Sequence, residues 1–152
     1  MPMNDGVQLK YGQIHGGKLS VRVTSASQTI SAKSGKFVYM DDGVATLNVD
    51  GTGSIFGFLE AAAGIATTDA NKYNCIIDLT AVFRIPIDSG TYVVGMMGDQ
   101  CDIAISNDIQ GAQLDASIEN TLTIVGGDAE NSEWVDVMMT PTEWGTTVGV
   151  DT

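Results

Sequence analysis

Apolar and polar residues alternate along much of this chain, and that alternation is the feature that most constrains its fold. In residues 18–24 (KLSVRVT), Leu19, Val21 and Val23 would lie on one side of a strand and the intervening polar residues on the other, because successive side chains of a strand point to opposite faces. The pattern returns in VQLKY (7–11), NCIIDLT (74–80), QCDIAIS (100–106), TLTIV (121–125) and WVDVMM (134–139). Short runs of this kind predict half-buried β-strands.

Glycine, together with Asp, Asn or Ser, separates these runs at short intervals. The separators are HGG, DDG, DGTG, DSG, GGDAENS and TPTEWG, and these residue types supply the backbone angles and local hydrogen bonds of turns. We therefore predict an all-β fold, a single compact β-sandwich or barrel with little helix. The best helix candidates are residues 58–64 (FLEAAAG) and 91–100 (TYVVGMMGDQ). Pro86 lacks an N–H for a β-ladder, which predicts that its run lies at a sheet edge or at a strand end.

A chain of 152 residues can bury enough surface to fold as one domain without disulfides or metals. We predict a compact β domain over residues 34–152, preceded by a strand-forming N-terminal arm over residues 1–33. The longest apolar stretches are far shorter than a membrane span, and the first residues lack the apolar core of a signal peptide. These features predict synthesis in a cytoplasm and no membrane partner.

Charge is distributed unevenly along the chain. Residues 1–36 carry five basic residues and one acid, a net +4, whereas residues 37–152 carry two basic residues and eighteen acids, a net −16. An acidic body repels the phosphate backbone, which argues against nucleic acid as a partner. The basic segment suggests a docking arm with Lys10, Tyr11, Lys18 and Arg22 as candidate contacts, although it is equally compatible with a strand that completes the domain's own sheet.

No residue pattern in the sequence specifies catalysis. His15 is the only histidine, lies beside two glycines, and has no identifiable triad partner. Cys75 and Cys101 lie in apolar runs without the spacing of a zinc site, so we expect buried thiols. The segment that contains Asp128 (GGDAENSEW) departs from a calcium loop at its glycine and terminal glutamate positions, and Asp50 lies in a common Asp-Gly turn. We predict no catalytic, metal or cofactor site.

One segment of the sequence is similar to an enzyme motif. Residues 75–87 (CIIDLTAVFRIPI) resemble a motif of trimeric dUTP pyrophosphatases, which are all-β chains of similar length. However, Cys75 replaces the glycine of that motif and Ile85-Pro86 follows Phe83-Arg84 where Gly-Glu is needed. Turnover of dUTP with magnesium would support this class, and binding to a glycan array would support a carbohydrate module with Trp134 or Trp144 as stacking platforms.

A different resemblance covers more of the chain. The segments SGKFVYMDDGVATLNVDGTGSIFGFLEAAAG (34–64), CDIAISNDIQGAQLDAS (101–117) and LTIVGGDAENSEWVDVMM (122–139) resemble the head decoration (cement) proteins of tailed bacteriophages. Membership of that family implies a β-tulip domain, usually trimeric, on the outer surface of the expanded capsid at three-fold and quasi-three-fold positions. The implied partners are the major capsid protein and the protein itself.

These considerations predict a structural, non-enzymatic protein that binds the outside of a virion and stabilises its shell. For the trimer interface we select Trp144, since the turn-rich TPTEWG segment offers an aromatic ring little to pack on within its own domain, and then Trp134. The alternative is a β-sandwich binding module for carbohydrate or protein on a virion surface.

Overall fold

A computed structural model describes residues 6–11, 18–22, 36–41, 43–48, 52–60, 72–107 and 109–145 of the chain. These residues form eleven strands: β1 (Gln8–Tyr11), β2 (Lys18–Arg22), β3 (Lys36–Asp41), β4 (Val44–Leu47), β5 (Gly57–Glu60), β6 (Lys72–Ile76), β7 (Val82–Ser89), β8 (Gln100–Ser106), β9 (Ile109–Gln113), β10 (Leu122–Gly127) and β11 (Trp134–Met139). Two short 3-10 turns, Val94–Met96 and Pro141–Glu143, complete the described elements. The predicted all-β fold class is confirmed.

The first sheet closes on itself. Its strand order is β1-β7-β11-β10-β8-β9, and β9 also pairs in parallel with the far end of β7. The five strands from β7 to β9 therefore form a ring, to which β1 adds on the outside of the β7 start. Every second residue of the ring points inward, and apart from Gln110 of β9 these residues are apolar: Phe83, Ile85, Cys101, Ile103, Ala112, Leu122, Ile124, Val135, Val137 and Met139.

The second sheet has the order β2-β6-β5-β3-β4 and is antiparallel throughout. Its two outer strands, β2 and β4, approach each other, so the sheet is strongly curved. A second apolar cluster that includes Val21, Val38, Leu47, Leu59 and Cys75 lies on this sheet. Cross-strand neighbours such as Leu59 and Cys75 belong to it, as expected from period-two alternation.

Three phenylalanine rings join the two sheets. Phe37 of β3 and Phe58 of β5 are direct cross-strand neighbours, and their ring centroids lie 5.3 and 4.6 Å from that of Phe83 on β7. Aromatic contacts of this kind add about 0.5–1.5 kcal/mol each beyond the area they bury. The apolar core is therefore continuous from the ring into the second sheet.

A buried amide reinforces the same junction. Gln110 of β9 is 0 % exposed; its Oε1 accepts from the Phe37 N–H at 2.7 Å, and its Nε2 donates to the carbonyls of Phe37 at 2.8 Å and Asn48 at 2.9 Å. The carboxamide thus supplies the donor and the acceptor that a neighbouring strand would offer to the Phe37 peptide groups. It fixes the position of one sheet against the other.

Both helix predictions are wrong over the described residues. Phe58–Glu60 belongs to strand β5 and the remainder of 58–64 lies outside the described residues. Within 91–100 only Val94–Met96 is helical, as a single 3-10 turn. Gly98, at φ +92°, ends that turn in a conformation that other residues rarely adopt.

Pro86 occupies a different place from the predicted sheet edge. It lies within β7, which has neighbours on both sides. The Ile87 N–H points to β11, where it donates to the Glu133 carbonyl at 3.1 Å, so the amide position of Pro86 faces the other side by alternation. There the partner of β7 changes from β1, which pairs up to Arg84, to β9, which pairs from Ile87. Proline is tolerated here because no described strand pairs with this side of β7 at Pro86, so no backbone N–H donor is needed there.

The N-terminal segment supplies one strand to each sheet. β1 pairs with β7 and β2 pairs with β6, and each is the last strand on its side. Residues 23–35, between β2 and β3, lie outside the described residues. The segment therefore contributes backbone pairing within its own chain, and a second role in docking stays a prediction.

Candidate interaction surface

The residues predicted for the docking arm lie on the two edge strands. Tyr11 pairs with Val82 across β1 and β7, and Lys10 lies at the register shift of that pairing. Lys18 is exposed and its Nζ lies 2.6 Å from Glu60 Oε1. Arg22 is exposed and directly opposite Lys72 of β6. Lys18, Arg22 and Lys72 thus give the edge of the second sheet a positive character, while β1 lies on the other sheet.

Trp134 lies at the start of β11, where it stacks against a cation. The Arg84 guanidinium carbon lies 3.4 Å from the centroid of the Trp134 ring, within the range of a cation–π contact. Arg84 also donates from Nε and Nη2 to the two carboxylate oxygens of Asp136, at 2.9 and 3.2 Å. One face of the Trp134 ring is therefore occupied within the chain.

Trp144 also packs within its own chain. Its ring stacks on Phe56 with centroids 5.3 Å apart, and its Nε1 donates to the Phe56 carbonyl at 2.5 Å. Backbone hydrogen bonds from Ile55 to Glu143 and from Gly145 to Ile55 hold this tail in place. Trp144 was selected for the trimer interface because its turn-rich segment was expected to offer the indole ring little to pack on. That reason does not hold, because the ring packs on Phe56.

The motifs examined for chemistry have structural explanations where they are described. Asp128 lies in the β10–β11 hairpin, where its carboxylate accepts from the backbone N–H groups of Glu130, Asn131 and Glu133. Among the described residues no group of His, Cys, Asp and Glu side chains has the arrangement of a metal site. His15 and Asp50 lie outside the described residues.

Both cysteines are buried and free, as expected. Burial raises the pKa of each thiol to about 12, with the nearby carboxylate of Glu60 adding to the effect at Cys75 and that of Asp102 at Cys101. A nucleophilic or metal-binding cysteine needs the thiolate form. These thiols therefore act as small apolar core residues.

The most distinctive surface feature is a short apolar loop between β7 and β8, residues 93–97, which we call the crest. Val93, Val94 and Met97 are 55, 69 and 63 % exposed, and Gly95 at the top is exposed as well. Single exposed apolar residues are common, whereas several of them on one loop form a candidate interaction site. Ile118, on the neighbouring 114–120 loop, is 83 % exposed.

The crest is firmly anchored at its base. The Tyr92 ring is buried and lies against Gly127, whose added Cβ would be 2.7 Å from the ring. The Tyr92 N–H donates to Ser132 Oγ at 2.8 Å, and on the other side the Gly98 N–H donates to the Ile124 carbonyl at 2.7 Å. The backbone of the crest is thus held at both ends by contacts with β10 and the β10–β11 hairpin.

Two hollows lie along the connection from β7 to β8, and the first of them includes a residue of the crest, Met96. One, of about 380 Å³, is lined by Met96, Asp99, Gln100, Leu114, Ser117, Asn120 and Ile124. The other, of about 390 Å³, is lined by Ile87, Asp88, Ser89, Gly90, Asn131, Ser132 and Glu133. Each contains at least one carboxylate. Residues 85–145 hold eleven acids and no Lys, Arg or His, so the crest is an apolar projection from a strongly negative part of the chain.

Sequence reasoning missed the crest because the run YVVGMM was assigned to a helix. A signal was present: five large apolar residues (Tyr, Val, Val, Met, Met) occur between the DSG turn and the GDQ turn, too few residues for a helix and without strand alternation. Such a run between two turns can be an exposed binding loop.

Comparison with known proteins gives no relative from which to assign the site: no family model, no curated protein and no solved structure matches this chain. In the described part of the chain, no helix is long and apolar enough to cross a membrane.

Proposed function

We propose that this protein is a structural decoration protein of a tailed-bacteriophage head. In this role it is made in the host cytoplasm, binds the outer surface of the expanded shell as a homotrimer at three-fold and quasi-three-fold positions, and stabilises that shell without catalysis. Its partners are the major capsid protein and itself. The crest is the observation that carries the proposal, and the family resemblance of residues 34–140 supplies the identity of the partner.

An ordered apolar crest suits docking on another protein. Binding costs the conformational freedom of the loops that become ordered, and a loop already fixed before binding avoids much of that cost. The crest is held by backbone hydrogen bonds on both sides and by the buried ring of Tyr92. A closed ring of strands is a stiff base for such a contact, because each strand of the ring is hydrogen-bonded to a neighbour on both sides.

The electrostatics also suit a protein of the outer capsid. The chain carries a net charge of −12, which disfavours association with the packaged DNA. A high net charge of one sign also favours solubility before assembly.

The carbohydrate-module alternative is less well supported. A sugar-stacking site needs an aromatic ring with a free face, and the chain has two tryptophans. Trp134 has one face against Arg84 and Trp144 has one face against Phe56. Both rings are also only partly exposed.

Co-sedimentation with undecorated heads tests the proposal. Purified protein is mixed with expanded heads and with unexpanded precursors, and the bound copies are counted after pelleting. Saturation at three copies per lattice site on expanded heads, together with a trimer mass in sedimentation equilibrium, is the expected result. Absence of binding to both kinds of head would refute the proposal, and binding on a glycan array would favour the alternative.

A further inference from the structure

We propose that the crest, and not the basic edge of the second sheet, is the surface that contacts the shell, and that its binding site there is an apolar depression surrounded by basic side chains. This inference rests on the proposed function, which supplies the partner, and adds the location and the chemistry of the contact.

The apolar part of the contact follows from the exposed side chains of the crest. Val93, Val94 and Met97 each keep more than half of their surface in water. Removing this apolar surface from water favours binding, and because hydrogen bonds already hold the backbone of the crest at both ends, the backbone loses little freedom on binding. A complementary depression on the partner would bury all three side chains together.

The charged part follows from the surroundings of the crest. Asp99 lies in one hollow and Asp88 and Glu133 in the other, and the whole 85–145 stretch lacks a basic residue. A partner with acids near the crest would repel it, whereas Lys or Arg side chains could enter the two hollows and meet the carboxylates. Arginine and lysine have the length to reach a hollow beside a loop while their apolar stems cover the crest.

The crest of a second copy is a poor partner for the crest. Two crests in contact would bring two sets of acids together without a basic residue from the same stretch, and like charges at an interface cost affinity. Among the side chains that the structure describes, the exposed basic ones are Lys18, Arg22 and Lys72, and they lie on the second sheet. A contact between two crests is therefore not expected within the trimer.

Binding of matched variants to expanded heads tests the location. Val94→Asp places a charge at a side chain that is 69 % exposed, so the fold should tolerate it, and circular dichroism and Tm check that it does. We expect an affinity at least tenfold weaker than that of the unchanged protein, with an unchanged trimer mass. Arg22→Gln changes the basic edge, which is the competing docking surface, and should bind as tightly as the unchanged protein if the crest makes the contact.

Salt dependence tests the chemistry. The double variant Asp88→Asn/Asp99→Asn removes one carboxylate from each hollow, and Asp41→Asn removes an exposed carboxylate from strand β3 of the other sheet. We expect the double variant to bind several-fold more weakly at low salt and to lose part of the decline in affinity with rising salt. Asp41→Asn should change neither.

The outcomes separate the two proposals. If the unchanged protein does not bind heads, the proposed function fails and this inference fails with it. If it binds and Val94→Asp binds equally well, or Arg22→Gln is the variant that loses binding, the function stands and the crest assignment is wrong. Loss of the trimer mass in Val94→Asp would instead make the crest a self-interface, and an unchanged salt dependence in the double variant would exclude a basic partner.

Discussion

Replacing Gln110 by leucine removes the hydrogen bonds that join the two sheets while keeping a side chain of similar size. The Phe37 N–H and the Asn48 carbonyl would lose their bonds to Gln110, whereas the Phe37 carbonyl would keep its bond from the Asn48 N–H at 3.1 Å. Each buried group left without a partner costs about 1–3 kcal/mol. Leucine offsets part of this by added apolar contact, so we expect Gln110→Leu to lower the free energy of unfolding by about 3 kcal/mol.

Urea denaturation followed by tryptophan fluorescence and circular dichroism measures this change. For a domain of this size, a loss of about 3 kcal/mol corresponds to a fall in Tm of roughly 6–12 °C. Gln113→Leu is the matched control, since Gln113 lies on the same strand but is only half-buried, and surface-like changes stay within about 0.5 kcal/mol. A loss below about 1 kcal/mol in Gln110→Leu would refute the idea that this amide holds the sheets together.

Two further predictions concern the crest support and the thiols. Gly127→Ala would place a Cβ 2.7 Å from the Tyr92 ring, whereas the nearest atom to a Cβ at Gly126 is 4.0 Å away. We therefore expect Gly127→Ala, but not Gly126→Ala, to increase hydrogen exchange in the crest and to weaken head binding. Equal exchange in the two variants would contradict this. Burial raises the pKa values of Cys75 and Cys101 from 9.0 to about 12. The folded protein therefore retains thiol protons that the unfolded chain releases above pH 9, and the free energy of unfolding falls as the pH rises from 9 to 12. The decline should be smaller when both cysteines are replaced by alanine, and an identical pH profile in urea would count against the buried thiols as its cause.

The strands were largely predictable from the sequence because their information is local. Period-two alternation identified the runs that become β1, β2, β8, β10 and β11, and Gly-Asp turns identified their separation. The predicted strand over 74–80 was correct only for residues 74–76, because β6 spans Lys72–Ile76. The alternation also implies which face of each strand is buried, as the inward residues of the ring show.

Closure of the ring could not be predicted, since it depends on a pairing between strands that are distant in sequence. The parallel contact of β9 with the end of β7 has no signal in either run. The role of Gln110 is equally non-local: a glutamine in a strand is ordinarily on the polar face, and only the approach of Phe37 from the other sheet makes it a buried partner. The prediction for Pro86 was wrong for the same reason. On one side of β7 the pairing with β1 ends before Pro86 and the pairing with β9 begins after it, so among the described strands the position lacks a partner as it would at a sheet edge.

The candidate site was predictable only in part. Charge distribution along the sequence showed where the acidic surface would be, but the sequence pointed to tryptophans as contacts and these pack within the chain. Conversely, Val93, Val94 and Met97 resembled core residues and are exposed. Exposure is set by the anchoring of the loop at Tyr92 and Gly98, which three-dimensional structure alone reveals.

Cryo-electron microscopy of expanded heads incubated with the purified protein tests the central claim most directly. The account predicts added density at three-fold and quasi-three-fold positions on the outer surface, with three copies at each and the end of the strand ring that bears residues 93–97 against the shell. Heads without added density, or density attached through the β2–β6 edge, would contradict the account, the first result its function and the second its docking surface.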